Sequence, residues 1–384
     1  MDRRRLGEEL VALLADLIAI PSTYPPGDTA RIATFCRDFL SALGYRTQIH
    51  EKQKGVQNVV ACLGSGKPSL VFNAHADTVG VGERAAWHTD PFKATLREGR
   101  VYGLGAANCK TSMAVHLWLA REVARRGGPK RGELVFTFVG DEENLGPDGM
   151  AHLRDISAVK PDTLVVAAPT RIRIVYEERG VMWLRGTTRG RAAHAGAPHA
   201  GDSAILRMNR LISDIERNLL PELQKRKSGT GQQATLSIGT IHGGDNINVV
   251  PDRCAIELDR RLLPDEDVDS AFEELKAFML AAGAHEVELL TGTPGFSAPA
   301  SGAGARAFAE AVREVTGKPP ERLNVIGASD GRYFARDGIE ILVTGPGDGA
   351  DSHIPNEFVP LAELADAALI QLAALERLLG LGGA

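Results

Sequence analysis

Leu70–Val79 reads LVFNAHADTV. Its apolar start, Leu70-Val71-Phe72, suits a strand covered on both faces, and its end delivers His75, Ala76 and Asp77. Residues two apart in an extended segment point to the same side. A carboxylate placed there can hold the imidazole in one tautomer while the other ring nitrogen takes a metal. The alternative is a strand-end histidine with a chance acidic neighbour. The stretch Val135–Gly146, VFTFVGDEENLG, repeats the plan: a buried strand, then Asp141, Glu142 and Glu143. Open α/β sheets place their ligand crevice at the carboxyl ends of strands. Three adjacent acids repel one another, and a metal or a role for a raised pKa is their usual compensation. A solvated loop is the other reading. In TGPGDGADSHIPNEFV, His353 follows a third apolar strand, Ile339–Gly345.

Working outward, further strands are expected at Tyr45–His50, Gln57–Leu63 and Asp162–Pro169, with a helix over Lys110–Arg126. Apolar strands separated by helices predict an α/β layer with a mainly parallel sheet. The pattern changes near Arg179. Gly180–Gly190 and Ala234–Gly244 alternate as half-exposed strands do, and Cys254–Pro264 and His285–Gly292 are further strands. Asp202–Leu219 and Glu266–Ala282 read as amphipathic helices. After Phe296 the first style returns, with helices over Gly304–Thr316 and Leu361–Leu379. The expectation is a discontinuous α/β catalytic domain of residues 1–178 and 297–384, interrupted by an α+β insert of residues 179–296.

Composition narrows the function. The 384 residues are 43% hydrophobic and 24% charged, with a net charge of −5, and no basic run is long, so nucleic acid is not an expected partner. Glu8, Glu9 and Asp16 interrupt the N-terminal apolar residues, and no uninterrupted apolar run approaches the length of a membrane span. Cys36, Cys62, Cys109 and Cys254 form no C-x-x-C pair, which suits a reducing, cytoplasmic setting.

The insert carries its own candidates. His194 lies among small residues in GRAAHAGAPHAG, where a structural role is equally open. Asn246, Asn248, Arg260 and Arg261 follow in GGDNINVVPDRCAIELDRRLLP. Arginine suits fork recognition of a substrate carboxylate, although surface ion pairing is its commoner fate. IGASDGRYF, a small-residue loop before an aromatic, is weak by itself.

Taken in order, these motifs are His-x-Asp, a G-x-G-A turn, Asp-Glu-Glu, a strand ending in Pro-Thr, His-Ala-Gly and a late histidine. The order resembles the M20 family of metallopeptidases and amidohydrolases. That family includes acetylornithine deacetylase, succinyl-diaminopimelate desuccinylase, aminoacylase and glutamate carboxypeptidase. The resemblance implies a catalytic α/β domain holding two zinc ions and an inserted lid that forms a homodimer. It makes His75 a metal ligand, Asp77 its orienting carboxylate and Glu142 the base that activates water. Glu143 and His353 become ligands of the second metal, and His194 the residue that stabilises the tetrahedral oxyanion. Asn248, Arg261 and the Gly327–Ser329 loop become contacts to a small-molecule substrate.

Two positions depart from the family. Its turn carries an aspartate that bridges both metals, whereas Gly103–Ser112 reads GLGAANCKTS and places Asn108 there. Its strand ends in an acid before Pro-Thr, whereas this chain has Ala168. Cys109 stands where the family has Met and reads as a buried, inert thiol; Ala328 stands where Thr is common. Two lost anions should weaken a dinuclear site severely. Three readings follow. One is an amide hydrolase of a small carboxylate-bearing substrate, an N-acyl amino acid or dipeptide, using one zinc or a loosely held pair. The second is a metal-independent enzyme with Glu142 as acid or base, for cyclisation, isomerisation, elimination or acyl transfer. The third is a non-catalytic binding or scaffold protein.

Overall fold

The computed structural model describes residues 2–323 and 327–382. In chain order the main elements are α1 (Arg3–Ile18), α2 (Ala30–Ala42), β1 (Arg46–Glu51), β2 (Gln57–Gly64), β3 (Ser69–His75), α3 (Lys110–Arg125), β4 (Glu133–Val139) and β5 (Thr163–Val166). There follow β6 (Gly180–Arg189), α4 (Ala204–Asp214), β7 (Thr235–Gly243), β8 (Arg253–Leu262), α5 (Val268–Ala281) and β9 (Glu286–Thr293). The chain ends with α6 (Ala303–Thr316), β10 (Glu340–Val343) and α7 (Leu361–Leu379). Two units form. One comprises the chain up to Tyr176, Ala298–Leu323 and everything from Ser329; the other comprises Glu177–Ser297 and takes Gly327 and Ala328 with it.

The first unit is built on a six-stranded sheet ordered β10-β5-β3-β4-β2-β1. β10, β5, β3 and β4 run parallel, and β2 and β1 add an antiparallel edge. This is the mixed α/β sheet of mostly parallel strands that the apolar runs predict. Every residue of β3 is buried, as a central strand covered on both faces requires. Its neighbours β4 and β5 lie on opposite sides, so the carboxyl end of β3 is where the strand order reverses. Helix α1 starts at Asp2, whose side chain accepts the Arg4 amide, and buries Leu6, Leu10, Leu13, Leu14 and Leu17. Each such leucine contributes about 2 kcal/mol by removal from water. They join a core with Phe72, Phe136, Trp118, Leu364 and Leu375. Helix α2 was not expected, although Ile32, Ala33, Cys36 and Leu40 bury at helical spacing.

The second unit is a four-stranded antiparallel sheet ordered β7-β8-β6-β9. Met182, Leu184, Ile256 and Leu258 meet Met208 and Leu211 of α4 and Leu275 and Met279 of α5. Both helices begin two residues later than the periodicity suggests. Ser203 accepts the Leu206 amide and Asp267 accepts the Ser270 amide, so these polar residues cap the helices from outside. At Gly186 an added Cβ would collide with the Met279 methyl, which shows how closely α5 approaches the sheet.

Candidate active site

The parallel strands bring His75, Asp77, Glu142, Glu143 and His353 together. His75 ends β3, and its Nδ1 donates to the Asp77 carbonyl at 2.9 Å. The Asp77 side chain is fully buried; Oδ2 accepts the Glu143 amide at 3.0 Å, and Oδ1 lies 3.5 Å from His75 Nδ1. One carboxylate therefore ties the end of β3 to the loop after β4. The His75–Asp77 pairing expected from spacing runs mainly through the backbone oxygen.

Glu142 sits between two cationic groups. Its Oε2 is 3.8 Å from His75 Nε2 and its Oε1 is 3.9 Å from Arg332 Nη1. Burial pushes the Glu142 carboxyl up to about 8, against the pull of His75. Burial opposes protonation of His75, but Glu142 and Asp77 help to hold its pKa well above the usual imidazole value. His353 Nε2 is 2.9 Å from Glu143 Oε1, and this hydrogen bond raises the His353 pKa. Both ligand-bearing loops contain a left-handed residue: Asp141 has φ 66° and His353 has φ 63°. In the first, the Asp141 side chain accepts the Asp148 amide and Asn144 Nδ2, which holds that turn.

Asn108 occupies the middle. Its Oδ1 is 3.1 Å from His75 Nε2, its Nδ2 donates to Glu143 Oε1 at 3.2 Å, and Nδ2 lies 3.3 Å from His353 Nε2. The shorter His353–Glu143 contact places the His353 Nε2–H on the carboxylate, so the Asn108–His353 approach is packing. The opposite amide orientation would set a carbonyl oxygen against Glu143. The Asn108–Cys109 peptide is cis.

Sequence reasoning missed Glu357, although it lies in the quoted IPNEFV stretch. This buried carboxylate accepts the amides of Gly105, Ala107 and Asn108 at 2.8–3.0 Å. Gly105 has φ 83°, which lets the turn aim its N–H inward. Asp330 and Arg332 were also missed. Asp330 accepts Asn73 Nδ2 of β3 at 2.8 Å. Arg332 donates to the Tyr333 hydroxyl at 2.8 Å, while its Nε and Nη1 have no hydrogen-bond partner among the described residues. Ser329 accepts the Gly331 amide and caps that turn.

The second unit holds the remaining candidates. His194 is exposed and its Nδ1 accepts the Gly196 amide; its neighbour Ala195 donates to the Asn248 carbonyl at 3.0 Å. His194 and Asn248 are thus placed on one pair of backbone strands. Arg261 is engaged within its own sheet, with Nε and Nη2 on the two oxygens of Asp259. Arg179 is 8% exposed and donates only to the Gln233 carbonyl among the described residues. Gly327 is exposed.

Ligand atoms of His75, Glu142 and Glu143 lie within 4.8 Å of one another, so one cation has donors here. A dinuclear centre does not fit. Ala168 offers no donor atom. Bridging needs an oxygen toward each ion, and an amide has one oxygen and one NH₂. Among the described residues, the only carboxylates grouped with His75 within ligand reach are Glu142 and Glu143, since Asp77 and Glu357 are engaged with backbone amides.

A family model described as peptidase family M20/M25/M40 matches residues 71–377. A succinyl-diaminopimelate desuccinylase of Thiobacillus denitrificans is 30% identical over 390 residues, covering 98% of this chain and 96% of the relative. The M20 family metallo-carboxypeptidase Sso-CP2 from Sulfolobus solfataricus shares the fold with a TM-score of 0.81 at 19% identity, covering 97% of this chain and 99% of the other. A Bacillus subtilis protein described as a dinuclear metal binding peptidase from the M20 family gives a TM-score of 0.72 at 16% identity, covering 98% of this chain and 99% of the other. Among the described residues no helix is long and apolar enough to cross a membrane. With a family match spanning most of its length, the chain belongs to the peptidase family M20/M25/M40.

Proposed function

We propose that this M20 hydrolase cleaves an amide bond in a small substrate bearing a free carboxylate, of the N-acyl amino acid or dipeptide class. The observation that carries the reading is Glu142. It is a largely buried carboxylate at the carboxyl end of β4, held up to about 8, with His75 and Arg332 on either side. A general base works best with a pKa near the operating pH. Glu142 takes a proton from water as its oxygen bonds to the carbonyl carbon. It then delivers that proton to the departing nitrogen as the C–N bond breaks, leaving an acid and an amine.

A divalent cation such as zinc, held by donors drawn from His75, Glu143 and His353, would supply polarisation of the reacting oxygens and leave Glu142 free as the base. Asp77 orients His75, and Glu357 fixes the turn that carries Asn108. Arg332 holds Glu142 from the side opposite His75. In the insert, His194 takes the oxyanion role, and Asn248, Arg261 and Gly327 take carboxylate recognition. Ser329 completes the substrate contacts. The insert joins two copies as a homodimer. The named relative acts, by its name, on a succinylated diamino acid, which suits the same substrate class.

The test is a panel of N-succinyl and N-acetyl amino acids and dipeptides, each paired with its carboxamide. Free amine is measured. Turnover should fall about tenfold or more when the carboxylate is capped, as loss of a charge-assisted contact requires. Equal rates for each pair would refute carboxylate recognition; no amine from any member would refute hydrolysis of this class.

A further inference from the structure

We propose that Asn108 makes this a one-ion site. A single divalent cation seats between Glu143 and His353 with the Asn108 side-chain oxygen turned toward it, and His75 serves as hydrogen-bond partner of the amide rather than as a metal ligand.

The geometry supplies the argument. Asn108 touches both sides of the cleft at once, with Oδ1 toward His75 and Nδ2 toward Glu143 and His353. Its amide thus fills the gap that a bridging carboxylate and two cations would share. With no ion, this arrangement is complete: carbonyl oxygen to imidazole, N–H to carboxylate, and Glu143 also accepting from His353. The fold therefore needs no metal to close this cleft.

Loading a cation at Glu143 and His353 turns one side chain and releases two protons to solvent, one from His353 Nε2, which donates to Glu143, and one from His75 Nε2, which donates to the Asn108 oxygen. Turning the Asn108 amide end over end brings its oxygen toward the ion and its NH₂ toward the Nε2 lone pair of His75. The rotation about the last side-chain bond of asparagine is soft and nearly two-fold. The backbone need not move, because the Gly105, Ala107 and Asn108 amides stay fixed on Glu357. The shell is then His, Glu and an amide oxygen, three protein donors with room for water or substrate. The rival set of His75, Glu142 and Glu143 would consume the base, and Asn108 lies between its members. A second ion has no place. The turned amide presents N–H groups to the His75 side, and Ala168 adds no donor there.

The experiment counts ions on the full chain. Protein is stripped with chelator, dialysed against zinc and examined by native mass spectrometry and elemental analysis. Wild type should hold one equivalent. His353→Gln, whose ring is 46% exposed, should bind zinc at least tenfold more weakly, while His75→Gln retains one equivalent. Asn108→Asp combined with Ala168→Glu should take up a second. Two equivalents or none in wild type would overturn the proposal, as would loss of zinc in folded His75→Gln or full retention in His353→Gln. A folded double variant that stays at one equivalent would overturn the role given to residues 108 and 168. The wild-type count and His353→Gln decide the matter even if buried variants fail to fold. The proposal uses the hydrolase reading only to choose the metal, and a count by mass stands or falls independently of turnover.

Discussion

Two buried polar patches lie along one helix of the α/β unit and behave in opposite ways. Just before α3, Asn108 and its neighbours are densely connected: carboxylates, imidazoles and backbone amides face one another in donor–acceptor pairs. Two turns into α3, His116 is fully buried among Phe72, Phe136 and Phe138, and neither ring nitrogen has a partner among the described residues. Burial lowers its pKa to about 3. Both patches hold buried titratable groups, but only the first presents groups that converge on a shared space. Convergence, more than burial or a shifted pKa, separates a site from a core residue that is merely tolerated.

The sharpest way to break this contrast is Glu142→Gln. If the first patch is an active site, kcat should fall about 10²–10⁴-fold with an unchanged unfolding midpoint. Steady-state kinetics on the best substrate of the panel, alongside urea unfolding, checks both halves. Retained turnover would reduce the convergent patch to structure.

Glu357→Ala should be next in size. Three inward amides would lose their acceptor, and the chain should lose about 3 kcal/mol of stability, read from urea unfolding. The Asn108 turn should also exchange amide hydrogens faster. An unchanged midpoint would mean that the turn holds itself.

His116→Leu should move the other way. Removing an unpartnered buried imidazole should stabilise the protein by about 1–2 kcal/mol at pH 7. The folded pKa lies below the unfolded value, so the unfolded chain binds the extra proton as pH falls. Wild type should therefore lose about 2 kcal/mol more than His116→Leu between pH 6.5 and pH 5. Parallel stability curves for the two proteins would show that His116 has a partner or room for water.

Much was legible before the structure. β3 and β4 declare themselves because buried parallel strands read as apolar runs, and the acids after β4 and His75 mark their ends. The helices over Ala204–Asp214 and Val268–Ala281 were displaced at their starts because their capping residues look like part of the periodic run. Arg261 meets the commoner fate of such arginines: Asp259, two residues away on the same face of β8, takes both its N–H groups, a pairing that strand spacing itself allows. Glu357 was hidden because its partners lie some 250 residues earlier in the chain.

The sequence by itself determined the α/β class and the family, and it named candidate ligands and two expected departures at Asn108 and Ala168. Those are properties of local pattern and order, which short-range periodicity and motif spacing carry. What only the tertiary structure decided is how the departures are accommodated. An asparagine differs from an aspartate by one NH₂ for one oxygen, and its consequence depends on what faces each end of the amide. Here those are His75 on one side and Glu143 with His353 on the other, brought from strand ends far apart in sequence.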